Sequence, residues 1–188
     1  DMPFMSYQAD HAEAMRNAGR FLTEGLADAV KLEVSRHDAP LIEQMTRAGI
    51  PVIAHFGTRP QQVKTSGYRI SGKTADEARD IVDEAIALEA AGACMLLIEA
   101  TPAEVAQRVV ERTSIPVIGC GAGPACHGQI VVLQDILGLS PRQPSFATPM
   151  GNLGEPLLEV ARTWIERVRI NDFKNHPYYM PDNEAEKF

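Results

Sequence analysis

The chain has 188 residues, 45% of them hydrophobic, with a formal net charge of −7, enough apolar content for one globular domain with a sizeable core. The acidic balance excludes a nucleic-acid surface, which needs clustered Lys and Arg against phosphates, and no apolar run approaches the roughly 18 residues of a membrane span. Three cysteines, two of them in or beside apolar runs, fit a reducing compartment rather than a disulfide framework; no secretory signal is visible, and the expectation is a cytoplasmic protein.

In chain order, Asp1-Met2-Pro3-Phe4 looks like the C-terminal end of a strand that begins upstream. His11 to Glu24 reads as an amphipathic helix with Asp10 as N-cap. A strand through Lys31-Leu32-Glu33 follows, then a short helix carrying Leu41, Ile42, Met45 and Ala48, stopped at Gly49. The next strand runs from Pro51 to His55. Residues 57 to 73 form a polar 17-residue connection, open to two readings, a substrate loop or a surface excursion. Thr74 with Glu77 makes a capping box, opening a helix whose buried face is Ile81, Ala85, Leu88 and Ala91. The strand Cys94 to Glu99 is followed by a helix expected to start with Pro102 at its first position and Glu104 at the third. That link puts Glu99 beside a helix N-terminus, which favours an ionised carboxylate.

A strand from Ile115 to Cys120 leads into Gly119-Cys120-Gly121-Ala122-Gly123-Pro124. This stretch lets backbone approach a ligand, and its N–H groups suit an anion or substrate. It is not a dinucleotide fingerprint, because Pro124 stands where the pattern needs glycine. Cys120, Cys126 and His127 lack the paired CxxC spacing of a structural zinc site, so an ordinary glycine-rich loop is expected. Ile130 to Leu139 is apolar, helical or extended. Pro156 to Val168 is a strong amphipathic helix, and the polar and aromatic tail from Asn171 suits packing on a neighbour or partial disorder.

Helix, glycine stop, buried strand and a polar residue at the strand's C-terminal end make the rhythm of a parallel α/β enzyme, whose active site lies at that end in a (β/α)8 barrel. Asp1, Lys31, Glu33, His55 and Glu99 would converge on one mouth. Two or three carboxylates with His suit a hard cation such as Mg²⁺, which takes oxygen ligands and keeps several waters. Lysine and a separate Glu then supply charge stabilisation and a proton acceptor. His11, His37 and His176 fall on helix or loop surfaces and carry no such role.

The ordered blocks Asp1-Met2-Pro3-Phe4-Met5-Ser6-Tyr7-Gln8, Val30-Lys31-Leu32-Glu33, His55-Phe56-Gly57, Gly67-Tyr68-Arg69-Ile70-Ser71-Gly72-Lys73-Thr74 and Gly121 to Gln129 together resemble the ketopantoate hydroxymethyltransferase family. The resemblance is dense from Asp1 to about Leu139 and looser over the C-terminal helix. It implies a TIM barrel of the phosphoenolpyruvate/pyruvate group, of which this chain would lack roughly the first two βα units. It further implies transfer of a hydroxymethyl group from methylene-tetrahydrofolate to C3 of 3-methyl-2-oxobutanoate, assisted by Mg²⁺. Carried over residue by residue, Asp1 and Glu33 match metal-site carboxylates, Lys31 and His55 match substrate-holding residues, and Glu99 matches the base. The family's oligomers imply a homo-oligomer, with 155–188 as the contact. Departures stand at Val34-Ser35, where the family has Gly-Gly, at Thr58-Arg59, at His127 and at Gln134. Arg36 and Arg59 would suit a more anionic substrate. Two alternatives therefore stay open: a related 2-oxo-acid aldolase or lyase, and a non-catalytic truncated subunit.

Overall fold

The computed structural model describes residues 1–188, the side chain of Ser66 excepted. They form two compact units, 1–131 and 132–188. The first begins with α1 (His11–Thr23), capped by the Asp10 carboxylate, which accepts from the Ala12 N–H. It continues with β1 (Val30–Glu33), α2 (Ala39–Arg47), β2 (Val52–Gly57), the short α3 (Val63–Ser66), α4 (Ala75–Ala90), β3 (Met95–Glu99), α5 (Ala103–Arg112), β4 (Val117–Cys120) and the two-residue β5 (Gly128–Gln129). The expected capping box of Thr74 and Glu77 is in place at the start of α4. It satisfies two N–H groups that the helix itself cannot.

The five strands form one sheet in the order β1-β2-β3-β4-β5, every neighbour parallel. That order has no switch point of the kind that marks doubly wound sheets. Because strand side chains alternate between faces, the register sorts the residues into two sets. One face aligns Val30 with Val52, Leu32 with Ala54, Ala54 with Leu96, and Leu96 with Val117. With Phe56 and Ile98 these are almost fully buried, in one cluster with Leu41, Ile42 and Met45 of α2, Ile81, Val82, Ala85 and Leu88 of α4, and Val105, Ala106 and Val109 of α5. The other face carries Lys31, Glu33, His55, Gly57, Glu99 and Cys120 in adjoining registers. Each large apolar side chain buried on the first face contributes about 1.5–3 kcal/mol. That burial offsets the cost of holding Glu33, His55 and Glu99 nearly out of water on the second.

Several sequence expectations need correction. Asp1 to Phe4 is not a strand, although the Met2 N–H donates to the Lys31 carbonyl at 2.9 Å and fixes this segment beside β1. The 57–73 connection is partly ordered, with a 3-10 turn at Pro60–Gln62 running into α3. Pro102 is the N-cap rather than the first helical residue, so Glu104 moves to the second position of α5. The glycine-rich loop, open to an anion or substrate in the sequence reading, also has a structural role. It returns the chain from β4 to the parallel β5 in seven residues, 121–127, where such a crossover usually takes a dozen or more. Gly123 makes this feasible: φ is +84°, and a Cβ there would stand 2.5 Å from the Ala103 Cβ. His127 closes the return, its N–H donating to the Val117 carbonyl and its Nδ1 accepting from the Val117 N–H.

The second unit contains α6 (Leu133–Ile136), α7 (Gly154–Arg169) and α8 (Asp182–Ala185). The apolar stretch 130–139 is thus a single helical turn plus flanks, not a long element. Within this unit Trp164 packs edge-on against Phe173 at 5.5 Å, and the Arg167 guanidinium sits over both rings at 5.9 and 5.6 Å. No helix among the described residues is long and apolar enough to cross a membrane.

Candidate active site

The polar face of the sheet gathers all five candidate residues into one chain of contacts. Lys31, two residues before the end of β1, shares a face with Glu33. Its Nζ lies 2.7 Å from Asp1 Oδ1 and 3.5 Å from His55 Nδ1. His55 is 3% exposed, with Nδ1 4.0 Å from Glu33 Oε1 and Nε2 3.1 Å from Glu99 Oε2. That last contact is off the line of a hydrogen bond, and Nε2 has no hydrogen-bond partner among the described residues. An ammonium can only donate. When Nδ1 accepts from Lys31, the ring hydrogen sits on Nε2 and points toward Glu99. A buried imidazole atom left without a partner is costly, a cost that a ligand oxygen bound there would remove.

Burial dominates at Lys31 and pushes its ammonium below the ordinary lysine range, while the carboxylates of Glu33 and Glu99 and the thiol of Cys120 pull it back up. Glu33 is fixed through its Oε2, which accepts the Gln61 N–H at 2.8 Å. Tyr7 locks the same strand end. Its hydroxyl accepts from the Glu33 N–H at 3.0 Å and lies 2.9 Å from Gln61 Oε1. Burial raises the Tyr7 phenol to about 12, so it stays a proton donor throughout the physiological range. Gln61 also donates from its side chain to the Met2 carbonyl at 2.9 Å, tying the Asp1 segment to the turn after β2. Tyr68 donates to Glu99 Oε1 at 3.0 Å, while Oε2 is the oxygen that faces His55 Nε2 at 3.1 Å.

Tyr7, Gln61 and Tyr68 lie near the motif blocks legible in sequence, yet nothing in residue type or spacing marked them. The tyrosines' standing inside those blocks was the one available signal. Gly57 sets the depth of the site. Its φ is +85°, and a Cβ there would stand 2.7 Å from the Glu99 carbonyl oxygen and 3.0 Å from Thr101 Oγ1. The strand carrying Glu99 is thereby drawn against the end of β2.

Among the described residues no three His, Cys, Asp or Glu side chains are grouped to hold a metal. A hard cation of the Mg²⁺ type asks for less, one or two carboxylates with substrate oxygens and water making up the rest. Asp1 and Glu33, flanking Lys31 at one mouth, meet that demand in donor chemistry and number. A depression of about 490 Å³ between α4 and α5, lined by Arg79, Asp83, Glu104 and Arg108, contains none of the five.

Residues 1–176 match the family model described as ketopantoate hydroxymethyltransferase. The chain belongs to that family. The 3-methyl-2-oxobutanoate hydroxymethyltransferase of Ignicoccus hospitalis is 43% identical over 180 residues, covering 95% of this chain and 68% of the relative. The enzymes of that name from Hyperthermus butylicus and Carboxydothermus hydrogenoformans are 44% and 41% identical, covering 100% of this chain and 66% and 69% of theirs. The chain thus spans about two thirds of the length of these relatives. Among solved structures, a putative phosphonomutase from Burkholderia cenocepacia matches 87% of this chain and 77% of its own, at 16% identity and a TM-score of 0.31, too low to assign a fold.

Set against the ketopantoate hydroxymethyltransferase resemblance, two of the sequence departures have local structural reasons. Val34 is fully buried, and Ser35 caps the 3-10 turn Arg36–Asp38 in a reciprocal box with Asp38. Arg36 is not a free anion receptor: its guanidinium pairs with Asp80 at 2.9 Å, and its N–H donates to Glu84.

Proposed function

We propose that this chain carries the catalytic face of an enzyme transferring a hydroxymethyl group from methylene-tetrahydrofolate to C3 of 3-methyl-2-oxobutanoate, giving ketopantoate. The observation that carries the reading is the contact chain Asp1–Lys31–His55–Glu99, with Glu33 beside it, on one face of the sheet of a chain in this family. Lys31 and His55 hold the carboxylate and ketone of the oxo-acid, the His55 Nε2–H filling its empty place on a substrate oxygen. Glu99 removes the C3 proton on Oε2, the oxygen not bonded by Tyr68 and set beside His55. Asp1 and Glu33 would hold Mg²⁺, which when bound supplies Lewis-acid stabilisation of the developing enolate charge.

The resulting C3 carbanion attacks the methylene carbon of the folate. One water supplies the hydroxyl, and tetrahydrofolate leaves. Lys31 keeps a positive charge against the developing anion, and its half-burial strengthens that interaction relative to water. We further propose that the sheet is part of a barrel wall, since its sequential parallel order is that of a (β/α)8 closure. Cytoplasmic location, expected from the cysteine usage, and homo-oligomeric assembly, implied by the family resemblance, belong to the same reading. The aldolase or lyase and the non-catalytic alternatives are not favoured: relatives matching nearly all of this chain are named for hydroxymethyl transfer, and Arg36, one of the two arginines on which a more anionic substrate would have relied, is already paired.

The test is product analysis with the full-length polypeptide. Ketopantoate should form only when 3-methyl-2-oxobutanoate, methylene-tetrahydrofolate and Mg²⁺ are all present. An aldol product formed without the folate would overturn the transferase reading in favour of a lyase.

A further inference from the structure

A second polar cleft adjoins the base. It has a volume of about 80 Å³ and is lined by Gly57, Thr58, Arg59, Gln62, Gly67, Arg69 and Ser71. Its walls are fastened to the strand that carries Glu99. The Thr58 N–H donates to the Glu99 carbonyl and the Ser71 N–H to the Ala100 carbonyl, both at 3.0 Å. The Thr58 hydroxyl donates to the Arg69 carbonyl, so the backbone bearing both arginines is held in register with the base. The two guanidiniums, like those of Arg16 and Arg112, stand outside the ion pairs of this unit. Arg20, Arg36, Arg47, Arg79 and Arg108 all pair with carboxylates. Neither Arg59 nor Arg69 has an ion-pair partner within 4.0 Å among the described residues; the Glu84 carboxylate feels Arg59 only from farther away. Two unneutralised arginines around a cavity of this size, in a protein of net charge −7, match an oxyanion in both charge and volume. The cavity is too small for a fused ring.

We propose that this cleft is an anion subsite, in which Arg59 and Arg69 hold a carboxylate of the one-carbon donor's acidic tail while its pterin end reaches the Glu99 mouth. The assignment rests on the transferase reading, because the oxo-acid's own carboxylate is already taken by Lys31 and His55. It also gives a chemical role to Arg59, a departure from the family pattern, since guanidinium forks match carboxylates bidentately. A free inorganic anion would be recognised by the same chemistry, so the test separates the two sources.

Equilibrium dialysis of the full-length polypeptide compares pentaglutamyl tetrahydrofolate with tetrahydropteroate, which has the same ring system and no glutamate. Turnover is not needed. The parent should bind the pentaglutamyl form at least about tenfold more tightly, as one or two charge-assisted hydrogen bonds imply, and the preference should shrink with added salt. In R59Q/R69Q the preference should vanish; in R59K/R69K, which keeps the charge without the fork and controls for folding, part of it should return. Equal binding of the two ligands by the parent, or a preference that survives in R59Q/R69Q, would overturn the proposal. So would inorganic phosphate or glutarate occupying the cleft while the parent shows no tail preference, which would make it a site for free anions. Failure of the transferase reading would show separately, as absence of Mg²⁺-dependent C3 proton exchange on 3-methyl-2-oxobutanoate, a step that needs no folate.

Discussion

Replacing Gly57 by alanine tests how the sheet positions the base. Two glycines of this chain share a φ of +85°. At Gly49 a new Cβ would meet nothing within 4 Å, whereas at Gly57 it would meet the Glu99 carbonyl oxygen at 2.7 Å and Thr101 Oγ1 at 3.0 Å. Gly49→Ala therefore carries only the cost of a left-handed backbone, about 1–2 kcal/mol. Gly57→Ala carries that cost and an overpacking cost of about 1–3 kcal/mol, because backbone must yield rather than a flexible side chain. The difference between the two variants isolates the steric part. With a urea slope of about 2 kcal/mol/M, the midpoints should differ by on the order of 1 M, Gly57→Ala being the less stable. Function should diverge further. Relief of the clash moves the Glu99 backbone by a few tenths of an ångström, and misplacement of 1 Å at a reacting group costs about 100-fold. C3 proton exchange should therefore fall by about tenfold in Gly57→Ala and stay near the parent's in Gly49→Ala. Equal midpoints and equal exchange rates in the two variants would refute the idea that close approach of β2 and β3 sets the position of the base.

Tyr68→Phe removes the hydroxyl that donates to Glu99 Oε1. A hydrogen bond to a charged group contributes about 1.5–3 kcal/mol when buried, and Tyr68 is half exposed, so exchange should slow by about five- to tenfold; an unchanged rate would show that Glu99 needs no such orienting partner. Glu84→Gln has a predicted pH signature. Burial raises the Glu84 carboxyl above its ordinary value of 4.5, against the opposing pull of Arg36 and Arg59. The native state therefore binds more protons than the unfolded state from pH 4.5 up to the raised value, and stability falls as pH rises through that window. Glutamine still accepts from the Arg36 N–H without a charge. The variant should be the more stable of the two at pH 7 by thermal or urea unfolding, with the advantage gone below pH 4.5. A variant less stable at pH 7 would mean that the arginines outweigh burial.

Much of the sheet was legible because parallel strands are short apolar runs between glycine-stopped helices, and Asp10, Thr74 and Glu77 announce their helices by side-chain chemistry. The grouping of Lys31, Glu33, His55 and Glu99 followed from where each run ends. The finer rule is alternation: Lys31 joins the site because it lies two residues from Glu33, and the register brings His55 level with Glu33. Long-range contacts were not legible. Tyr7 meets Glu33 across 26 positions and Gln61 across 54, and no local pattern encodes such a meeting. The close approach within the glycine-rich loop was hidden for a related reason. Glycine signals freedom or close approach, and only the structure shows that Gly123 meets a helix residue, Ala103. Likewise Arg36 and Arg59 look alike in sequence, and only the neighbouring α4, through Asp80, neutralises one of them.

The central claim, that Glu99 takes the C3 proton of an oxo-acid held by Lys31 and His55, is tested most directly by following deuterium incorporation at C3 of 3-methyl-2-oxobutanoate by proton NMR. The measurement uses the full-length polypeptide with Mg²⁺ in heavy water and no folate. Exchange should be rapid in the parent and reduced by about 1,000-fold or more in Glu99→Gln, since a positioned base contributes about 10²–10⁴-fold, with the urea midpoint of the variant close to the parent's. A Glu99→Gln variant that is folded and exchanges at the parent's rate would contradict the account.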